Sequence, residues 1–237
     1  MKDQHVLYQH STLATLVPGL LKGTLTMKEL LQHGDTGIGT GEGLDGELVI
    51  LDGQPYQVRS TGEVNLVAAN FKIPFANAHF AHFDPLMTVK NLTGAQLEKR
   101  VLAATHYQNI FFALKVSGHF KQIKTRAVAK SEPPYPTLLA TAQVQQVFNT
   151  EGIAGTLISY YAPQLFNGVA VGGYHSHFLA ANHDFGGHVL DYTVDSADVQ
   201  IQAFTSLEQH FPVDDPDFMA HDFAADNIAA DIEQSEK

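Results

Sequence analysis

Alternating apolar and polar residues, the pattern of half-buried β-strands, recur along most of the chain. They predict strands over residues 6–10, 44–51, 56–58, 63–66, 110–116, 120–129, 155–160 and 197–204. Tight turns at Asp52-Gly53 and Thr61-Gly62 join three of these segments into an antiparallel meander. Residues 71–83 are apolar-rich and predict strand and loop, with His79 and His82 in structural roles.

Apolar residues at helical spacing, preceded by a residue that can cap a helix, are rarer in this chain than the strand pattern. Thr93 precedes the clearest example, residues 94–104, with Gln96 at the capping-box position; Glu98 lies in a charged run that we expect to be solvated. Three further helices are predicted. The first is a short helix that begins after Ser11 or Thr12, the second covers residues 26–33 with Gly34 as its left-handed C-cap, and the third runs from Thr137 to about residue 148. The acidic tail, residues 222–237, offers one helical turn or more at 227–232.

Two segments interrupt these patterns. Four glycines within residues 37–43 predict a loop to which other backbone comes close, although the Lys-Ser/Thr ending of a phosphate loop is absent. Residues 131–136 contain three prolines and are the most linker-like stretch. They divide the chain approximately into residues 1–130 and 131–237, two closely packed halves or one compact domain. Each half combines helices with a mostly antiparallel or mixed sheet, which predicts an α+β fold.

Composition narrows the classes of function. A hydrophobic content of 44% over 237 residues supports a proper core, and the absence of cysteine excludes disulfides, thiolate zinc sites and iron–sulfur clusters. The net charge of −11 disfavours binding to nucleic acid or anionic lipid. No apolar run of about 18 residues predicts a membrane span, and residues 1–5 lack the pattern of a signal peptide. A cytoplasmic protein follows as the default.

The densest chemical signal is a histidine-bearing hairpin. His175 and His177 are two positions apart, so a strand presents both on one face. The turn-like residues 182–187 can then bring His188 across to them. Three imidazoles with an open fourth position are typical of catalytic zinc, whereas single strand histidines are usually satisfied by hydrogen bonds. The combination favours a metal site.

Several motifs together resemble one family over nearly the whole chain. They include Leu-Asp-Gly-Glu at 44–47, Gly-Tyr-His-Ser-His-Phe-Leu at 173–179 and Gly-Gly-His-Val-Leu-Asp at 186–191, with Tyr8-Gln9 and Arg126 besides. With them the chain resembles the bacterial α-acetolactate decarboxylases. The segment at 180–182 is less charged than that family's pattern, at turn positions that leave the histidines unaffected.

The resemblance implies a zinc-dependent carboxy-lyase that converts (S)-2-acetolactate to (R)-acetoin and CO2 through a metal-stabilised enediolate, in acetoin and 2,3-butanediol biosynthesis. It also implies a homodimer. The family's functional residues fall on the metal ligands His175, His177 and His188, the catalytic residues Glu47, Arg126 and Glu236, and the substrate contact Thr40. Glu233 is an alternative to Glu236.

The chemistry calls for such residues. Loss of CO2 leaves charge that a Zn²⁺ ion on neutral imidazoles can stabilise as a Lewis acid, and a fixed acid must then protonate one face of the enediolate. We expect Glu47 to be that acid. Arg126 stays protonated in proteins, so it is suited to bind the substrate carboxylate, or to orient Glu47 or the alkoxide.

Three alternatives bear on the same hairpin. A cupin-type oxygenase would have a Glu about four residues after the second His, and residues 178–182 contain none. A metal-dependent hydrolase of small esters on a related three-histidine scaffold would use zinc-bound water equally well. A zinc-stapled, non-catalytic binding module would need a fourth protein ligand, for which His183 or Glu236 is available.

Overall fold

Strands from all parts of the chain form the bulk of this structure, a computed structural model that describes residues 3–236. Met1 and Lys2, part of the segment without a signal-peptide pattern, lie outside the described residues. In chain order the strands are β1 (Val6–His10), β2 (Leu25–Thr26), β3 (Thr36–Thr40), β4 (Glu47–Leu51), β5 (Gln54–Val58), β6 (Val64–Leu66), β7 (Lys72–Ile73), β8 (Phe75–His79), β9 (Asp84–Thr93), β10 (Phe112–Ala127), β11 (Gln146–Ala162), β12 (Gly173–Ala180), β13 (Gly186–Ala203) and β14 (Ser206–His210).

The helices are mostly short. They are α1 (Leu13–Leu16), α2 (Met27–Leu30), α3 (Gly94–Thr105), α4 (Leu138–Ala142), α5 (Pro216–Ala220) and α6 (Ile228–Glu236). Short 3-10 turns cover Glu42–Leu44, Gln164–Phe166 and Phe223–Ala225. Within the described part of the chain, no helix is both long enough and apolar enough to cross a membrane.

Two large sheets define the architecture, and the predicted α+β fold is confirmed. The first has the order β14-β1-β8-β3-β4-β5-β6, in which β1 and β14 run parallel and the other pairs antiparallel. In the second, β10 pairs along its length with both β11 and β13, and β12 bridges β11 and β13. These four strands therefore close on themselves, and β9 adds to β13. A small pairing of β2 with β7 stands apart.

The core is divided between these layers. Buried Phe112, Phe120 and Phe178 fill the closed second sheet, which α3 covers with Leu97 and Val101. A second cluster lies between the sheets, and a third joins α1, α4 and α6. Strands from either side of residue 130 enter both sheets, and the division into two halves stays a prediction.

The prediction of a loop over the glycine-rich residues 37–43 was wrong for residues 37–40 only, since residues 41–43 do lie outside the strands. Residues 36–40 form β3, a fully buried strand between β4 and β8. The expected close approach is present, because a Cβ at Gly39 would lie 2.6 Å from the carbonyl oxygen of Phe75 on β8. Glycine here lets two strands approach each other closely, and no turn is made.

Other corrections concern element length. The helix after Thr137 ends at Ala142 rather than near residue 148, because the β-branched and aromatic residues that follow pair with β10 as the start of β11. Residues 110–129 were predicted as two strands separated at Ser117-Gly118, but β10 runs without a break from Phe112 to Ala127. Its pairing with β13 shifts register at three points, all between His119 and Thr125. Helix α2 ends at Leu30, and Gly34 is not in the left-handed region. Strand β9 was not predicted.

Candidate active site

The hairpin of β12 and β13 brings the three histidines together. His177 is directly opposite His188 in the register of the two strands, and His175 precedes His177 on the same face. One ring nitrogen from each lies within 4.8 Å of the others, and His175 Nε2 is 3.1 Å from His188 Nδ1. The geometry agrees with the predicted facial arrangement of three imidazoles.

These imidazoles are neutral. Burial lowers the pKa of both His175 and His177 to about 3, and it places the pKa of His188 well below its usual value; the Arg126 charge acts in the same direction on all three. A neutral imidazole offers one nitrogen lone pair to a metal ion. Since the chain has no cysteine, nitrogen and oxygen are the available ligands.

His177 indicates which nitrogen faces the cluster. Its Nδ1–H donates to the carbonyl oxygen of Leu48 at 2.7 Å, so Nε2 carries the lone pair. That Nε2 is buried and has no hydrogen-bond partner among the described residues. An ordinary strand histidine would be satisfied there, so the orphaned atom is what a metal-binding group requires. The three histidines fit a metal ion.

Glu47 approaches the cluster from the first sheet. Its Oε2 lies 3.4 Å from His177 Nε2, and the side chain is buried. Burial raises the pKa of this carboxyl to about 7; Arg126 opposes the shift and Glu236 adds to it. Thr40 is opposite Glu47 on β3, and its hydroxyl donates to the carbonyl oxygen of Gly46 at 2.7 Å. This hydrogen bond holds the backbone just before Glu47.

Arg126 and Glu236 form a buried ion pair beside the histidines. Arg126 Nη2 lies 3.1 Å from Glu236 Oε2, which is 3.7 Å from His188 Nε2 and 3.9 Å from His175 Nε2. The Nε of Arg126 is buried without a hydrogen-bond partner among the described residues. A strong donor is therefore available to an incoming anion.

Helix α6 delivers Glu236 to this position. Ile232 is buried against Leu13 and Leu16 of α1 and Leu138 of α4. Glu233, the alternative, is solvent-exposed and lines a different cavity of about 100 Å³. The predicted acidic tail is thus a packed helix over residues 228–236.

All the predicted site residues except Glu233 line one small cavity of about 40 Å³. Its apolar wall was not predicted, because its members come from segments distant in sequence and have no shared pattern. The wall consists of Leu13, Leu16, Leu44, Phe75, Val128 and Leu138. His183 is not part of the cluster: it is exposed in the hairpin turn, with its ring 4.6 Å from that of Tyr56. The cavity thus offers a polar end and an apolar end to a small molecule.

Comparison with known proteins places this arrangement in a family context. The sequence model of alpha-acetolactate decarboxylase matches residues 7–225. The alpha-acetolactate decarboxylase of Lactococcus lactis subsp. cremoris (strain MG1363) is 36% identical over 238 residues, covering 100% of both chains. That of Bacillus subtilis (strain 168) is 35% identical over 240 residues, covering 99% of this chain and 93% of its own.

Solved structures agree. A Staphylococcus aureus protein described as of unknown function and similar to alpha-acetolactate decarboxylase superimposes with a TM-score of 0.94 at 36% identity, covering 98% of this chain and 100% of its own. The alpha-acetolactate decarboxylase of Bacillus subtilis strain 168 gives a TM-score of 0.92 at 34% identity, with coverages of 98% and 99%.

Proposed function

The chain belongs to the alpha-acetolactate decarboxylase family, and we propose that it is a zinc-dependent enzyme that converts (S)-2-acetolactate to (R)-acetoin and CO2. The observation that carries the proposal is the shared cavity, in which three neutral imidazoles, two carboxyl groups and a guanidinium meet. Arg126 supplies the positive charge that an anionic substrate requires in this cavity.

His175, His177 and His188 would hold the Zn²⁺ ion. When bound, the ion supplies a Lewis acid that stabilises negative charge on the substrate oxygens. Three neutral ligands leave its charge undiminished, which is the reason to prefer zinc on imidazoles here. The Nδ1 bond from His177 to Leu48 keeps one ligand oriented for that task.

Arg126 would bind the substrate carboxylate through the buried Nε–H that has no other described partner. The bond from this carboxylate to the hydroxyl-bearing carbon then breaks, CO2 leaves, and the electron pair delocalises towards the neighbouring ketone oxygen as an enediolate. The ion pair with Glu236 limits how strongly Arg126 grips the carboxylate. This limit favours the reaction, because strong binding of the ground state alone does not lower the barrier.

Glu47 would donate the proton that forms the new C–H bond. Its raised pKa keeps part of the carboxyl population protonated at neutral pH. Because strand β4 fixes the carboxyl on one side of the cavity, the proton reaches one face of the enediolate and one enantiomer results. Thr40 positions the backbone before Glu47 and contacts the substrate, and Glu236 orients Arg126.

Acetoin formation from racemic 2-acetolactate tests the proposal. Purified protein would be assayed as prepared, after chelation, and after addition of Zn²⁺. Acetoin that disappears on chelation and returns with zinc supports a metal-dependent decarboxylase, and chiral chromatography of the product tests the (R) configuration. A folded, zinc-loaded protein that forms no acetoin would overturn the proposal, and small esters would then be screened as hydrolase substrates.

Two properties implied by the family resemblance belong to the same proposal. We expect a homodimer, which light scattering of the purified protein tests. We also expect the enzyme to act in the cytoplasm on a small-molecule substrate, without nucleic acid or membrane as partner. The chain has 25 acidic and 14 basic residues, and this negative net charge disfavours binding to phosphate-rich partners.

A further inference from the structure

A second cavity of about 280 Å³ adjoins the small one. His188 and Glu236 line both cavities, so the two spaces meet at these side chains. The remaining lining residues come from α3 and from the strands β12 and β13: Gly94, Ala95, Glu98, Tyr174, Ser176, Val189, Leu190, Asp191 and Tyr192. Nothing in the proposed mechanism uses this larger space.

Glu98 is the titratable residue that α3 contributes to the second cavity. The sequence predicted a solvated charge, but the structure leaves the residue half-buried, and burial raises the pKa of its carboxyl to about 7. The helix is held in place here, because Tyr174 Oη donates to the carbonyl oxygen of Glu98 at 3.1 Å. A Cβ at Gly94 would lie 2.7 Å from Tyr192 Cε1, so helix and strand are in close contact.

The groups that face Glu98 across the cavity are acidic or phenolic. They are Tyr174 on β12, Asp191 and Tyr192 on β13, and Glu236 on α6, with the imidazole of His188 on β13 as the one exception among the titratable side chains that line the cavity. None of the described residues that line this cavity is a lysine or an arginine. Carboxylates without a cation repel an anionic substrate, so this cavity is unsuited to the entry of 2-acetolactate. It remains open to water and to protons.

The proposed reaction needs a proton supply. One C–C bond breaks, one C–H bond forms, and one proton is consumed for each CO2 released. After donating, the acid in the small cavity must be protonated again. That cavity is small, about 40 Å³, and apart from the site residues its wall is apolar, so the wall carries no group that could relay a proton. The proton must therefore arrive from another direction, and the second cavity adjoins the site at Glu236.

We propose that the second cavity, with Glu98 in its wall, is the path by which this proton passes from solvent to the reaction site. The inference rests on the proposed function. Glu98 takes a proton from bulk water or a buffer acid, and its O–H bond breaks as the proton moves into the water of the cavity. The proton then replaces the one used in the new C–H bond. A carboxyl with a pKa close to the surrounding pH exchanges protons in both directions, as this role requires.

Steady-state kinetics of Glu98→Gln test the path. Proton uptake follows the irreversible loss of CO2, so the variant should lower kcat and leave kcat/KM unchanged. We expect a loss of about tenfold in dilute buffer, smaller than the roughly 10²–10⁴-fold of a positioned general acid, because Glu98 relays the proton and does not donate it to the substrate. Added imidazole buffer should restore kcat, because a small acid can enter the open cavity. A pH-indicator dye in single-turnover experiments should show proton uptake lagging behind CO2 release.

Two further variants keep the test decisive. Glu151→Gln, at an exposed carboxylate on β11, should leave kcat unchanged. Ala95→Leu narrows the cavity without altering any titratable group, and it should also lower kcat more than kcat/KM. It serves as the test if Glu98→Gln does not fold.

Different outcomes would overturn the proposed function and the proton path. Wild-type protein that forms no acetoin overturns the proposed function and this inference with it. Active wild-type protein together with a Glu98→Gln or Ala95→Leu variant of unchanged kcat, insensitive to buffer concentration, overturns the proton path alone.

Discussion

The imidazole of His177 donates a 2.7 Å hydrogen bond to the backbone carbonyl of Leu48, which links the histidine hairpin to the strand that bears Glu47. The bond fixes the tautomer of His177, with Nε2 towards the cluster. Because the acceptor is a backbone atom, no side-chain substitution at position 48 removes it. The two sheets are thus coupled at the point where the proposed metal ligands meet the proposed proton donor.

His177 has two roles, as a proposed metal ligand through Nε2 and as a hydrogen-bond donor to Leu48 through Nδ1, and the variant His177→Asn distinguishes them. Asn at position 177 has an amide donor but no Nε2, and we expect the variant to lose both bound metal and acetoin formation because one of three ligands is missing. Metal content measured by elemental analysis, together with acetoin assays, checks this. His183→Asn is the matched control, since His183 lies exposed in the turn of the same hairpin. A His177→Asn variant that retains stoichiometric zinc contradicts the proposed ligand set.

Glu47→Gln keeps the size of the side chain but removes the acid. We expect kcat to fall by about 10²–10⁴-fold, the usual contribution of a positioned general acid, while metal content is unchanged. Kinetics and metal analysis on the same preparation check both parts. Residual acetoin from the variant should have lower enantiomeric excess, because protonation from water selects no face. An unchanged kcat would assign the proton to another group.

Arg126→Lys retains a positive charge but loses the planar donor pair. We expect KM for 2-acetolactate to rise by about tenfold, in line with the loss of a charge-assisted hydrogen bond of about 1.5–3 kcal/mol. Arg59→Lys, outside the cavity lining, is the control. Initial-rate measurements over a range of substrate concentrations distinguish the effects on KM and kcat. If only kcat fell, Arg126 would instead orient Glu47 or the alkoxide.

Thr40→Val tests the support of Glu47. The valine removes the hydroxyl that donates to Gly46 and leaves a buried carbonyl unpaired, which should cost about 1–3 kcal/mol of unfolding free energy. Urea denaturation of the metal-free protein measures this loss. Thr40→Ser keeps the hydroxyl and should recover most of the stability. Equal stability of the Val and Ser variants would show that the hydrogen bond contributes little.

His79 predicts a pH dependence of stability. Burial lowers its pKa to about 3, below the usual value of 6.5, so the unfolded chain binds a proton that the folded chain rejects. The resulting stability is fully present above pH 6.5 and declines as pH falls towards 3, by at most about 1.4 kcal/mol per pH unit. Denaturant unfolding of the wild type and His79→Leu at pH 7 and pH 5 should give a smaller loss for the variant; an equal loss would exclude this histidine as the cause.

Local patterns in the sequence were sufficient for part of this structure. The spacing of His175, His177 and His188 and the turn between them predicted the hairpin, and Thr93 with Gln96 predicted the start of α3, including its capping box. In these cases the signal lies within a few residues. The catalytic assignment of Glu47 and Arg126 depended on the family resemblance, since either residue alone suits an exposed strand.

The failures share a physical cause, which is tertiary pairing. Gly37 and Gly39 indicate flexibility in isolation, yet strands on both sides bury them in β3. Val147 and Phe148 extend a helical pattern, but pairing with β10 makes them strand. The sequence around Glu98 has the pattern of a solvated helix face, but in the structure Glu98 lines a cavity together with Tyr174 and Tyr192 of the second sheet. None of these partners is visible from the local sequence.

The parallel pairing of β1 with β14 has a consequence for how the protein folds. Gln9 and Gln209 are neighbours in the sheet although 200 positions separate them, whereas His175 and His188, 13 positions apart, meet through a single local turn. Long loops close slowly and late, and chains dominated by such contacts fold more slowly than those with local ones. The histidine hairpin can therefore form early in folding, whereas the sheet that supplies Glu47 is complete only after its edge strand β14 has paired with β1. After denaturation, we expect metal binding to recover before catalysis does.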